Sequence, residues 1–126
     1  MAGFPIVSAT SEGAGVVFRT DSDAVMYWAV IYGAAVEGVT SSDVTKTQFP
    51  AGIYVVDSGT EDMQGLADTT LQLVKLLPET TYTLYAVPAS LDAQPLLPAQ
   101  PAVVSFQTHG TNSFLFQPLL TFVQLD

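Results

Sequence analysis

Asp21 and Asp23 flank Ser22 in the stretch TDSDA, and paired carboxylates in a loop are the simplest start of a calcium site. Calcium takes about six to eight oxygens, however, and neither a third adjacent acidic ligand nor an EF-hand loop accompanies this pair. Asp and Ser are also ordinary turn formers, so turn chemistry accounts for the same residues. His109 is the single histidine and stands beside Gly110, with no Ser or Cys nucleophile motif near it. A catalytic triad needs partners that this spacing does not supply. Asp57, Glu61, Asp62 and Asp68 fall at positions that read as loops, and they describe a solvated acidic surface. No glycine-rich phosphate loop, metal-ligand cluster or glycosidase-like carboxylate pair stands out. The chain is read as not an enzyme, with no catalytic residue, metal or cofactor assigned.

The chain has 126 residues, which favours one domain, and a domain of that size can bury a core without disulfides or metals. Apolar residues make up 48% of it and charged residues 12%, which argues against a long disordered tail. Twelve acidic residues face only Arg19, Lys46 and Lys75, a net charge of −9. That charge repels phosphate, so nucleic acid and anionic membranes are excluded as partners. Cysteine is absent, which removes disulfides and zinc–thiolate sites without fixing a compartment. MAGFPIVSAT lacks the basic start and long apolar run of a signal peptide. No apolar run reaches the ~18 residues of a membrane helix, so no membrane insertion is expected.

Strand signals dominate what must position these groups. GVVFRT (15–20) is short, β-branched and aromatic, and VMYWAVIY (25–32) is apolar at nearly every position, as a central strand covered on both faces would be. The turn-rich TDSDA between them predicts a hairpin. Further strands are expected at GIYVVDSG (52–59), TTLQLVKL (69–76), TYTLYAV (81–87) and AVVSFQT (102–108), and one near FPIVSAT makes seven. Alternation puts Leu71 and Leu73 on one face, as it does Tyr82, Leu84 and Ala86, and Val104 and Phe106. Trp28 is expected in the core, whereas Tyr27 or Tyr32 could offer an exposed ring to a sugar. TSSDVTKT (40–47) predicts one helical turn in a crossover between sheets. Seven short strands broken by Gly, Pro and Asp predict an all-β antiparallel sandwich.

LLPETTYTLYAV admits two readings. LPET followed by Thr81 is close to a sortase signal, but it lies mid-chain, runs straight into a strand and has Thr where Gly belongs. Leu76, Pro78, Thr80 and Tyr82 also match L-x-P-x-T-x-Y, and here the chain resembles fibronectin type III-like domains of bacterial and protist surface proteins. SSDVTKT…AGIYVVDSGT and the closing VVSFQT are similar to that subgroup as well, so the resemblance spans roughly residues 5 to 108. It implies that the segment turns from strand E into strand F and that the Tyr82 phenol bonds a backbone group upstream, a tyrosine corner. The chain departs from the subgroup in its F–G loop, PASLDAQPLLPAQPA, which is stiff and apolar, with Leu96 and Leu97.

A domain of this kind is complete near Thr108, so residues 1–110 are read as the sandwich and 111–126 as an extension. HGTN reads as a hinge. TNSFLFQPLLTFVQLD is apolar on both parities, with Phe114, Phe116, Leu120 and Phe122 on one side and Leu115, Leu119, Val123 and Leu125 on the other. Pro118 divides it into two short strands, 113–117 and 119–125. Such a segment must be covered. It either folds back on its own sandwich or adds to a neighbouring subunit. The expected role is a structural subunit that self-assembles into a filament, surface layer or virion-surface assembly through this tail and Leu96 and Leu97. The expected setting is extracellular or cell-surface, or the surface of a virion. The alternative is a carbohydrate- or protein-binding module of a larger surface protein.

Overall fold

The computed structural model describes residues 5–91, 98 and 100–110. Seven strands and one short helix follow in the order β1 (Ile6–Ala9), β2 (Ala14–Arg19), β3 (Ala24–Tyr32), α1 (Ser41–Lys46), β4 (Val55–Met63), β5 (Asp68–Leu73), β6 (Thr81–Ser90) and β7 (Ala102–Gln107). They form a three-stranded sheet, β1-β2-β5, and a four-stranded sheet, β4-β3-β6-β7. Every pairing is antiparallel. The all-β sandwich read from the sequence is the fold, and all seven strands are present.

Two connections differ from expectation. TDSDA does not close a hairpin, because β2 pairs with β1 and β5 while β3 pairs with β4 and β6. It is a corner between sheets. The Thr20 hydroxyl donates to the Ser22 carbonyl, Leu66 N donates to the Thr20 carbonyl, and Gly65 N donates to Asp23 Oδ1. Asp and Ser reverse a chain equally well within a sheet or between sheets, so turn chemistry alone does not separate the two. Likewise α1 is not a crossover between sheets, since it joins β3 to β4, neighbours in one sheet. The strand expected at 52–59 runs from Val55 to Met63, and that expected at 69–76 stops at Leu73. Asp57, Glu61, Asp62 and Asp68 therefore lie on strands and not on loops. An edge strand tolerates polar residues on its exposed positions, and this hides β4 from a hydrophobicity reading.

Alternation builds the main core. Ala14, Val16 and Phe18 of β2 meet Met26, Trp28 and Val30 of β3 and Tyr82, Leu84 and Ala86 of β6, with Leu73 and Leu76. Leu71 packs at its margin, as do Ala102 and Phe106 of β7. Trp28 is in the core as expected, and its Nε1 finds no hydrogen-bond partner among the described residues. The ring lies across Gly59 of β4, its register partner. A Cβ at Gly59 would stand 3.0 Å from Trp28 Cζ2.

A second core lies on the outer face of the four-stranded sheet. Ile31 of β3 and Tyr85 and Val87 of β6 pack there against Val39 and Val44, with Tyr27, Phe49, Ile53 and Val55 at the margin. This explains why β3 is apolar on both parities. The cover is the connection 33–54. Its six-residue helix is too short to persist alone. A capping box closes its start: Asp43 N donates to Thr40 Oγ1 (3.2 Å) and Thr40 N to Asp43 Oδ2 (3.0 Å). Thr47 ends it in the left-handed region, φ 53°. Val44 anchors it, the Ser41 hydroxyl donates to the Pro98 carbonyl, and Phe49 meets Tyr85 edge-on at 5.6 Å.

The segment that resembles a sortase signal is a tyrosine corner. Leu77 N donates to the Tyr82 phenol oxygen at 2.8 Å. The Thr80 hydroxyl donates to the Pro78 carbonyl. Leu76 is buried, and Glu79 takes a positive φ of 50° to complete the turn. Buried Thr108 seals it from the end of β7, accepting from Thr80 N at 2.9 Å and donating to the Leu77 carbonyl at 2.6 Å. Replacing Tyr82 with Phe removes the bond from Leu77 N, together with the hydrogen bond between the Tyr32 and Tyr82 phenols, and leaves the ring in place. Urea denaturation should show a loss of about 1 kcal/mol with unchanged far-ultraviolet dichroism. Gly59→Ala should cost a similar ~1 kcal/mol, because the packed Trp28 ring has little room to retreat. Indole fluorescence should report that displacement.

Candidate interaction surfaces

The tail residues Phe114, Leu115, Phe116, Leu119, Leu120, Phe122, Val123 and Leu125, and Leu96 and Leu97, lie outside the described residues. The fold-signature residues Leu76, Pro78, Thr80 and Tyr82 come together at the corner. His109 is exposed and held by its backbone: its N donates to the Thr10 carbonyl, and its own carbonyl accepts from Glu79 N. Among the described residues, no three His, Asp or Glu side chains are grouped to hold a metal ion. Asp21 and Asp23 line a shallow cleft of about 260 Å³ with Thr20, Ser22, Ala24 and residues 88–90. Asp23 is engaged there as the acceptor for Gly65 N.

The sandwich has two unlike sides. On one side stand the edge strands β4 and β5, which carry Asp57, Glu61, Asp62 and Asp68. Asp68 pairs with Arg19 at 3.2 Å across exposed side chains. On the other side β1 and β7 lie against one another across the core, and neither sequence, IVSA or AVVSFQ, contains a charge. Among the described residues, β1 pairs only with β2 and β7 only with β6, so the outer edge of each has no strand partner. Ile6 and Val103 expose 49% and 44% of their surface there. Edge strands normally carry charges that discourage a further strand, and neither β1 nor β7 has one.

A row of aromatic rings crosses the four-stranded sheet at the corner end. Phe106 of β7 stacks on Tyr82 of β6 at 5.8 Å, and Tyr82 stacks on Tyr32 of β3 at 5.3 Å. Tyr32 meets Tyr54 at 5.2 Å with a tilt of 32°. Register places Phe106 opposite Tyr82 and Tyr82 opposite Tyr32, and Tyr32 N donates to the Tyr54 carbonyl. Tyr82 is fully buried, Tyr32 is 39% exposed and Tyr54 66% exposed. The Tyr32 phenol is held above the ordinary tyrosine range by loss of water on its packed side, then by the Tyr82 and Tyr54 phenols beside it and a hydrogen bond to Tyr82. Tyr27, the other sugar-facing candidate, turns instead to the outer core. Sequence reading put Tyr54 in the strand expected at 52–59 without matching it to Tyr32; it lies just before β4, and a bulge at Val56 brings the two into line.

No protein-family model matches the chain, and no curated protein matches it. Among solved structures, a computer-redesigned β-sandwich protein is 20% identical over 86% of this chain and 93% of its own, with a TM-score of 0.46. The sensor domain of the anti-sigma factor RsgI4 of Pseudobacteroides cellulosolvens is 15% identical over 85% of this chain and 94% of its own, with a TM-score of 0.39. The fold assignment rests on the strand ladders themselves.

Proposed function

We propose that this chain is a non-enzymatic, fibronectin type III-like subunit that assembles with copies of itself into a filament, a surface layer or a virion-surface array. The tyrosine corner and the division of strands into β1-β2-β5 and β4-β3-β6-β7 support the domain type. One observation carries the assembly reading: β1 and β7 contain no charged residue and their outer edges have no strand partner among the described residues, whereas the opposite edge strands carry carboxylates. The outer face of β3 and β6 is already covered by 33–54, so the edges are where another chain can bond.

In this reading, residues 111–126 of one copy add as a strand to the uncharged side of the next. Backbone hydrogen bonds provide affinity, while Phe114, Phe116, Phe122 and their neighbours provide the apolar contact. Leu96 and Leu97 extend that contact. A head-to-tail union of identical subunits propagates unless its rotation closes a ring. The proposed setting is a cell surface, the extracellular space or a virion surface.

Sedimentation velocity and electron microscopy test this. The full chain should form large, concentration-dependent species, and deletion of 111–126 should leave a soluble monomer. Val103→Glu, which places a like charge on the open edge of an already acidic protein, should suppress assembly at least tenfold in concentration without lowering the unfolding midpoint. A full chain that stays monomeric at high concentration would overturn the proposal.

A further inference from the structure

We propose that residues 111–117 fold back across the corner end of their own sandwich, on Leu77, Tyr32 and Tyr54, and that a neighbour's open edge must displace them before assembly begins. The cis contact stands on its own, while the control of assembly rests on the self-assembly reading.

The chain leaves the sandwich at this end. His109 N donates to the Thr10 carbonyl, and its own carbonyl accepts from Glu79 N. Gly110 lies so close to Glu79 that a Cβ there would stand 3.2 Å from Glu79 Cδ. Leu77, just before Pro78 and Glu79, is 54% exposed. From Leu77 the surface continues to the tyrosines. Leu77 N donates to the Tyr82 phenol, the Tyr32 phenol is hydrogen-bonded to that of Tyr82, and exposed Tyr54 lies over Tyr32. Exposed Val74 stands at the same end, just past Leu73, the register partner of Ala14. Exposed apolar groups gathered in one place mark a docking surface.

Reach and tethering select the chain's own segment as the occupant. Crossing from β7 to Tyr54, in line with β4, takes three strand spacings, about 14 Å, whereas seven residues extend to about 23 Å. Residues 111–117, TNSFLFQ, carry no charge and bring Phe114, Leu115 and Phe116 to that path. A segment tethered beside its site meets it at an effective concentration on the order of millimolar, which a free partner of equal affinity would have to match. The corner end offers apolar side chains, while a neighbour's open edge adds backbone hydrogen bonds. Rising protein concentration therefore shifts the tail from the first to the second.

Cysteine is absent from the chain, so introduced pairs are read without background. In dilute monomer, oxidised Leu77→Cys/Leu115→Cys should run on a non-reducing gel as a faster monomer band, at roughly ten times the yield of Leu66→Cys/Leu115→Cys. Leu66 is the control because it is exposed at the opposite end of the sandwich, where its N donates to the Thr20 carbonyl. In sedimentation velocity, Leu77→Ser should lower the concentration at which the full chain assembles about fivefold, because less of the tail is held in cis. Only the backbone of Leu77 makes the corner bond, so this variant should unfold at the native midpoint. Equal yields from the two cysteine pairs, or intermolecular disulfides alone, would overturn the cis contact. An unchanged onset for Leu77→Ser would overturn the control of assembly, and a raised onset would assign Leu77 to the neighbour's contact and overturn it too. A chain that never assembles would overturn self-assembly and the control with it, while the disulfide still decides the cis contact.

Discussion

The hydrogen bond from Leu77 N to the Tyr82 phenol fixes where β6 begins, and much of the molecule follows from that point. With Tyr82 committed to the inner face, Leu84 and Ala86 follow into the main core, while Tyr85 and Val87 turn outward. Since β6 lies between β3 and β7, its parity sets which side chains of its neighbours meet on each face. The outward residues then require a cover, and the connection 33–54 supplies it. The same corner receives Thr108 from the end of β7, so one turn sets both the start of a central strand and the end of an edge strand.

Charge is segregated along with hydrophobicity. An acidic chain disperses its copies by repulsion, and the carboxylates of β4 also discourage strand pairing at that edge. β1 and β7 contribute no charge to their side, so repulsion is weakest where the backbone is most able to bond. The aromatic row introduces a third kind of surface. Its buried end packs into the core, and its exposed end lies against Tyr32, so the stack runs from the interior to the surface.

The alternation in TYTLYAV and TLQL made the facing of β5 and β6 legible, and the double apolar parity of 25–32 correctly signalled a strand covered twice. The corner motif located the turn because its residue types have few other uses at that spacing. Sheet membership was less visible. Asp21, Ser22 and Asp23 suit a hairpin and an inter-sheet corner equally, and only the need of Val16 and Phe18 for a partner sheet separates the two. The second half of β4 was hidden for a different reason: an exposed edge strand has no apolar alternation to reveal it. Tyr54 could not be paired with Tyr32 in advance, because a one-residue bulge alters the register between them. The tail residues singled out for assembly lie outside the described structure, so that reading rests on composition together with the edge it would join.

The bond from His109 N to the Thr10 carbonyl joins opposite ends of the described chain. Leu76 N reaches the Glu12 carbonyl in the same region, so the β1–β2 turn, the corner and the end of β7 interlock. Contacts of such long sequence separation form late, since loop closure must precede them. During synthesis, the sandwich therefore cannot finish closing until residues near 109 have left the ribosome. Among the described strands, β7 is the last to emerge, so the two uncharged edges, β1 and β7, stand side by side only after every other described strand has been made.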